Sequence, residues 1–367
     1  MKQVVLLRSQ DIVSDSRVLR WEEWFKKEDI SYTIVGWDRA GKNLKRENTD
    51  FYRRRAGFQQ GMKGIIGRVW WNLFLLKYLF SHHKQYQYIH ACDFDTVIPG
   101  LCMKIFGKKV IFDIFDWFSD EVRTGKIWID KPINILEKWA AVHADLVIIC
   151  EKERLKQMGV IPRNYIIIPN IPEVKNPPLE VENNVERKTG EIRIAYVGGL
   201  VKDRGLIELI NVVQEMPRIK LEIAGFGDTD IVRAVEQAAH TYENIQYDGK
   251  VPYEKALEIM GNADLLYAMY YKTNPNHIYA APNKFYESLL LQIPLITTEG
   301  TLVGNKVKCF HNGYVIMEGE GYLAKFLSKI SIQDIKEIKR NMPSTAIMDD
   351  FYRGYQIYMR FLNGDLR

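Results

Sequence analysis

Short apolar runs alternate with amphipathic stretches along most of the 367 residues. Gln3 to Leu7, Ser31 to Gly36, Leu146 to Cys150, Tyr165 to Ile168, Ile192 to Val197 and Leu221 to Ala224 are rich in Val, Ile and Leu. That pattern predicts strands buried on both faces of a parallel sheet. Between the first two runs, Arg17 to Lys27 places Val18, Leu19 and Phe25 at helical spacing, and Asp15-Ser16 is suited to cap it. The opening therefore reads as a β-α-β unit, the start of a doubly wound α/β sheet. Strands at Tyr88 and Lys109 each run into a polar loop and deliver His90, Asp93, Asp95, Asp113 and Asp116 toward C-terminal strand ends. Some of these, Asp95 and Asp120 above all, can simply cap the next helices.

Pro172 to Thr189, with Pro172, Pro177, Pro178 and many charges, is the best linker. Beyond it the β-α pattern restarts at Ile192. The most ordered stretch comes later: a strand over Leu265 to Tyr271, a loop from Lys272, a helix from Pro282 and a strand over Ile293 to Ile296. Pro282 suits a first helical turn, and Phe285, Tyr286, Leu289 and Leu290 recur at helical spacing. Leu323 to Leu327 and Ile332 to Arg340 read as small helices. Ala346 to Leu362, with Tyr352, Tyr355, Tyr358 and Phe361, reads as a terminal amphipathic helix. The expected organisation is a domain over 1–171, a second over 172–345, and a helix over 346–367 that packs back on the first.

A hydrophobic content of 47% suffices for two cores. The four cysteines are far apart and form no C-x-x-C pair, which argues against a disulfide framework or zinc site and for a reducing cytoplasm. The opening apolar run is too short for a signal peptide, and no transmembrane helix is expected. The net charge of +5 is unevenly spread. Asp38 to Lys84 holds 11 basic and 3 acidic residues, leaving 40 basic and 43 acidic elsewhere. An anionic surface is the natural partner for such a segment.

Within it lie Arg53, Arg54 and Arg55, then Gly61 to Phe80. Ile65, Ile66, Val69, Leu73, Leu76 and Phe80 share one helical face there, Lys63, Arg68 and Lys77 interrupt it, and Trp70, Trp71, Phe74 and Tyr78 add aromatics. One reading is a helix docked on anionic lipid through Arg53, Arg54, Arg55, Arg68, Trp70 and Trp71. The other is a core helix with a few solvated charges. Nucleic acid is disfavoured, because no reader motif is present.

Chemistry concentrates in the second half. Gly198-Gly199 leads through Lys202 and Arg204 into a helix, and Gly225-Phe-Gly227 closes another strand. Glycines let backbone approach a ligand closely, and the two cations suit a diphosphate. Lys284 lies in the first turn of the helix after Pro282, where N–H groups also favour phosphate, and Glu287 lies one turn on.

Several motifs resemble those of the retaining glycosyltransferases of family 4. They are Asp15-Ser-Arg-Val-Leu-Arg, His90-Ala-Cys-Asp-Phe-Asp-Thr, Ala144-Asp-Leu-Val, Ile168-Pro-Asn, Tyr196-Val-Gly-Gly-Leu, Arg204-Gly, Ala224-Gly-Phe-Gly, Ala263-Asp and, most specifically, Pro282-Asn-Lys-Phe-Tyr-Glu-Ser. The resemblance spans nearly the whole chain. It implies the GT-B fold, two Rossmann-like domains facing a cleft, and transfer of a sugar from a UDP- or GDP-linked donor to a saccharide acceptor. The donor site it implies comprises Gly199, Lys202, Arg204, Gly225, Gly227, Tyr279, Asn283, Lys284 and Glu287, with Glu287 on the ribose. Arg17, His90, Asp93 and Asp116 would meet the acceptor, and Asp116, Arg204 and Lys284 would serve catalysis. No metal or cofactor is expected, because cations and helix starts would stabilise the leaving diphosphate.

Two departures stand out. Tyr279 occupies the place of the first glutamate of the family's E-x7-E motif, and Phe115 that of a histidine near the donor sugar, with Asp116 the nearest polar substitute. The resulting expectation is a hexosyltransferase extending a lipid-linked saccharide in bacterial surface glycan assembly, peripheral on the cytoplasmic membrane face. The alternatives are a catalytically weak binding partner of another transferase and a sugar-nucleotide epimerase.

Overall fold

The computed structural model describes residues 3–10, 12–13, 15–56, 62–172, 190–343 and 348–365. Apart from Pro172, the expected linker lies outside the described residues. The chain divides into two compact units, Met1–Asn170 with Met348–Arg367, and Ile171–Ile347.

The first unit is built on seven strands: β1 (Gln3–Arg8), β2 (Ser31–Trp37), β3 (Thr49–Tyr52), β4 (Tyr88–Cys92), β5 (Lys109–Ile114), β6 (Leu146–Ile149) and β7 (Tyr165–Ile167). They lie in the order β3-β2-β1-β4-β5-β6-β7, and every pair is parallel. The order reverses between β1 and β4, so loops after these strands open at a topological switch point. The helix Ser16–Lys27 starts where capping chemistry predicts. The Asp15 carboxylate accepts from the Arg17 and Val18 N–H groups at 3.1 and 3.2 Å, worth about 1 kcal/mol. Strand β3 escapes sequence reading: Thr49–Tyr52 is short, half-exposed and at the sheet edge.

The helix Met62–Ser81 has two distinct faces. Trp71, Leu75 and Leu79 are fully buried against Trp37, Ile89 and Val97 of the core, while Ile66, Val69, Trp70, Leu73 and Phe80 are exposed. Trp71 is thus a core residue and is withdrawn from the membrane set. The helix Met348–Asn363 belongs to the first unit. Gly354 lies against the Ile167 carbonyl of β7, Tyr88 donates to the Leu362 carbonyl at 2.8 Å, and Tyr358 packs beside His90. Among the described residues no helix is long and apolar enough to cross a membrane.

The second unit has six parallel strands: β8 (Ile192–Leu200), β9 (Ile219–Gly227), β10 (Ile245–Tyr247), β11 (Leu265–Ala268), β12 (Leu295–Thr298) and β13 (Gly313–Ile316). Their order is β10-β9-β8-β11-β12-β13, with the reversal between β8 and β11. Two boundaries differ from the sequence reading. Strand β11 ends at Ala268, and Pro275–Ile278 forms a short helix in the loop that follows. Gly198-Gly199 and Gly225 to Gly227 stay inside paired strands, where Gly198 faces Gly225 and Leu200 faces Gly227.

Candidate functional site

The β8/β11 switch point holds a cavity of about 220 Å³. Gly198 and Gly199 of β8 form one wall, and Met269 and Tyr270 beyond β11 form another. Arg204 enters from the turn Lys202–Arg204, and Pro282, Asn283 and Lys284 close the cavity at the start of the helix Asn283–Leu291. Pro282 is the residue that precedes this helix rather than its first member, and it supplies no side-chain cap. The helix start therefore keeps its partial positive charge facing a ligand-sized space.

Among the described residues Arg204 is held by stacking and has no ion pair. Its guanidinium carbon lies 4.1 Å from the centre of the Tyr270 ring. Its Nη1 is buried with no hydrogen-bond partner among the described residues. A buried unmatched cationic donor costs stability unless something fills it. An anion in this cavity would do so. Larger hollows, about 550 and 460 Å³, surround Tyr314 near the far edge strand β13. Asp334 and Glu337 line the first, and Glu299 and Asp334 offset Lys325 and Lys329 in the second, so neither gathers the excess positive charge that an anion would need.

Lys284 is ion-paired with Glu287 one turn along the helix, and the Tyr253 hydroxyl donates to the other Glu287 oxygen at 3.1 Å. Glu287 is 1% exposed, against 17% for the Lys284 side chain. Glu287 accordingly backs Lys284 and is not part of the cavity wall. The structure brings Gly199, Arg204, Asn283 and Lys284 to one cavity. It does not bring the others there. Lys202 is exposed outside the cavity wall, and Tyr279 caps the end of the Pro275–Ile278 helix. Gly225 and Gly227 serve the β8–β9 ladder: a Cβ on Gly225 would lie 1.9 Å from the Gly198 carbonyl oxygen, and one on Gly227 2.2 Å from that of Leu200. Close strand approach requires a glycine at both positions, and neither lines this cavity.

Tyrosines of the cavity escaped sequence reading. Tyr196 bonds the Gly199 carbonyl, and the Tyr267 hydroxyl donates to the Gly205 carbonyl at 2.9 Å. Burial holds the Tyr196 hydroxyl protonated, well above its ordinary range. The only signal was the aromatic density of Tyr267-Ala-Met-Tyr-Tyr at a strand end.

In the first unit, the ends of β1, β4 and β5 carry a charged cluster. Arg8 is paired with Asp15 at 2.8 Å and with Asp93. Asp93 also accepts from the Phe115 N–H at 2.9 Å. Burial pushes the Asp93 carboxyl up to about 6, against the pull of Arg8, and Asp116 and Asp95 push it further. The Phe115 ring lies beneath two guanidiniums, Arg8 at 4.1 Å and Arg17 at 4.5 Å. Asp116 is 54% exposed and anchored by Arg154 at 3.1 Å. The segment after it is pinned by Glu137, which accepts from Phe118 N–H, Ser119 N–H and the Ser119 hydroxyl at 2.7, 2.9 and 2.6 Å.

His90 and Arg17 do not match their expected acceptor role. His90 is fully buried, with ring nitrogens 3.1 Å from Asp113 and 3.0 Å from the Tyr358 hydroxyl. Burial lowers its pKa and favours the neutral ring. Arg17 is buried between Asp113 and Asn170. Both hold the sheet to the helices beside it. Cys92 lies close to His90 and Asp113, but Arg17, Trp21 and His90 already take the Asp113 oxygens.

Comparison with solved structures identifies this architecture. Sucrose-phosphate synthase from Thermosynechococcus elongatus superposes with a TM-score of 0.74 at 14% identity, over 99% of this chain and 100% of that one. HepE from Anabaena, solved in complex with UDP, gives 0.70 at 17% identity over 99% and 100%. The fold is GT-B. A Listeria monocytogenes protein described as a putative UDP-N-acetylglucosamine 2-epimerase gives 0.60 at 12% identity over 99% and 97%. No protein-family model matches the sequence, and no curated protein matches it.

Proposed function

We propose that the protein is a retaining glycosyltransferase of the family 4 type. It moves a sugar from a nucleotide-diphosphate donor to a saccharide acceptor carried on lipid, at the cytoplasmic face of a membrane, in surface glycan assembly. One observation carries the reading: a buried, unmatched guanidinium N–H of Arg204 and the ammonium of Lys284 belong to one cavity at the β8/β11 switch point. Two cations beside a helix start suit two linked phosphates. The UDP bound to HepE favours uracil over guanine as the base.

In this mechanism the bond from the sugar to its diphosphate breaks through an oxocarbenium-like state, and the acceptor hydroxyl attacks the same face while passing its proton to the departing phosphate oxygen. Negative charge grows on the phosphate oxygen that departs. Arg204, Lys284 and the N–H groups at the start of Asn283–Leu291 stabilise it without a metal. When phosphate draws Lys284 away from Glu287, the released carboxylate can accept from the ribose hydroxyls. Asp116, presented by the first unit, is the polar group proposed for the acceptor.

Calorimetry with UDP, followed by product analysis with UDP-sugars and a membrane extract, tests the proposal. Expected are UDP binding that Arg204→Ala weakens by about 10- to 100-fold and a new lipid-linked product. Interconversion of one free UDP-sugar into another without acceptor would assign the epimerase activity instead. Binding without any product would assign the inactive partner.

A further inference from the structure

The first unit contains a second basic cavity, also about 220 Å³, at the start of the Met62–Ser81 helix. Four arginines line it: Arg39, Arg54, Arg55 and Arg68. Asp95 answers two of them, at 3.2 Å from Arg68 and 3.9 Å from Arg39, and also accepts from Ser9 at 2.6 Å. Positive charge is thus in excess. Burial draws Arg39 down to about 10, with Arg68 and Arg8 adding to the effect against Asp95. Arg39 is still protonated at neutral pH. Two of the guanidiniums are oriented by aromatic faces, Arg39 over Trp37 at 4.3 Å and Arg54 over Trp70 at 4.9 Å. A guanidinium stacked on a ring directs its N–H edges sideways, in the geometry that binds phosphate oxygens in pairs.

The cavity continues into an apolar surface. Ile66 belongs to the cavity wall and is itself exposed, and Val69, Trp70, Leu73 and Phe80 extend from it along the outer face of the helix. From Ile66 to Phe80 the helix rises about 21 Å, comparable to an acyl tail lying in the outer part of a bilayer leaflet. A basic hollow at one end of an apolar stripe is complementary to a molecule with an anionic head and a hydrocarbon tail.

We propose that this cavity receives the phosphate head of a membrane lipid, as a monoester or a diphosphate, while the lipid's chain lies along Ile66, Val69 and Leu73. Four cations favour a head with several charged oxygens over a singly charged diester. The inference deepens the glycosyltransferase reading, on which it rests only in taking this lipid for the acceptor's carrier. Lipid binding itself is independent of the donor cavity.

The test is flotation of the full chain with phosphatidylcholine vesicles containing phosphatidic acid, a monoester, or phosphatidylglycerol, a diester, at matched surface charge. The expected result is about tenfold tighter binding to the monoester. The double variant Arg54→Gln/Arg55→Gln, both exposed positions, should lose that preference at unchanged melting temperature. Val69→Ser/Leu73→Ser should weaken binding to both vesicles alike. Equal binding to the two lipids, or equal loss for both in the arginine variant, would overturn the proposal in favour of diffuse surface charge. Stabilisation by inorganic pyrophosphate without vesicle binding would overturn it in favour of a soluble ligand. UDP titration of the same proteins keeps the two readings separate: failure to bind UDP removes the donor reading and leaves the lipid result standing.

Discussion

The Arg204 guanidinium stacks 4.1 Å from the centre of the Tyr270 ring while its buried Nη1 has no hydrogen-bond partner among the described residues. A cation is thereby oriented toward a cavity and left short of an acceptor. Arg204→Ala should lower UDP affinity by about 10- to 100-fold, the range of a lost charge-assisted hydrogen bond. The melting temperature without ligand should hold or rise, because the variant removes an unmatched buried donor. Calorimetry and a thermal scan check both halves.

The Lys284–Glu287 pair gives a sharper contrast. Glu287→Ala strands an ammonium that is largely buried, and should cost about 1–3 kcal/mol of stability. Lys284→Ala should cost UDP affinity as well, since it removes a cation from the cavity wall. The double variant should be less destabilised than the sum of the singles. Urea denaturation of all four proteins measures the coupling.

Gly225→Ala should be among the most damaging single-methyl changes in the second unit. Its Cβ would lie 1.9 Å from the Gly198 carbonyl oxygen, at a φ of 152° that L-residues rarely adopt. Forcing the strands apart should cost about 1–3 kcal/mol. It should weaken UDP binding too, because Gly198 is part of the cavity wall.

Glu137 predicts a pH signature. Burial raises its pKa from 4.5 to about 8, although Ser119 and Phe118 donate to it. The unfolded chain ionises this carboxyl above pH 4.5, while the folded protein keeps the proton up to about 8. Its contribution to stability is complete below pH 4.5 and is lost as pH rises toward 8. The melting temperature of wild type relative to Glu137→Gln should therefore fall across that window. Comparing the two proteins cancels the other titrating groups.

The two faces of Met62–Ser81 should separate cleanly. Trp71→Ala removes a fully buried side chain and should cost about 3–5 kcal/mol. Leu73→Ser, at a half-exposed position, should change stability by about 0.5 kcal/mol or less. Comparable losses at both sites would mean that the outer face is covered in the folded protein.

Local chemistry in the chain was enough to announce much of this protein. Apolar runs marked the central strands, Asp15 its first helix cap, and Gly198-Gly199, Arg204 and Pro282-Asn-Lys the elements that line one cavity. These features are legible because each depends on neighbours within a turn or a strand. The edge strand Thr49–Tyr52 was not, since it has too little burial to impose a pattern. Only tertiary structure decided which face of Met62–Ser81 meets the core: a helix with apolar groups all round has no preferred side until Trp37 and Ile89 supply one. It also separated polar residues that look alike in sequence. His90 and Arg17 are consumed by Asp113 within the core, Gly225 is committed to a strand contact, and Glu287 holds Lys284 from behind, because the partners that claim each group lie on strands and helices distant in the chain.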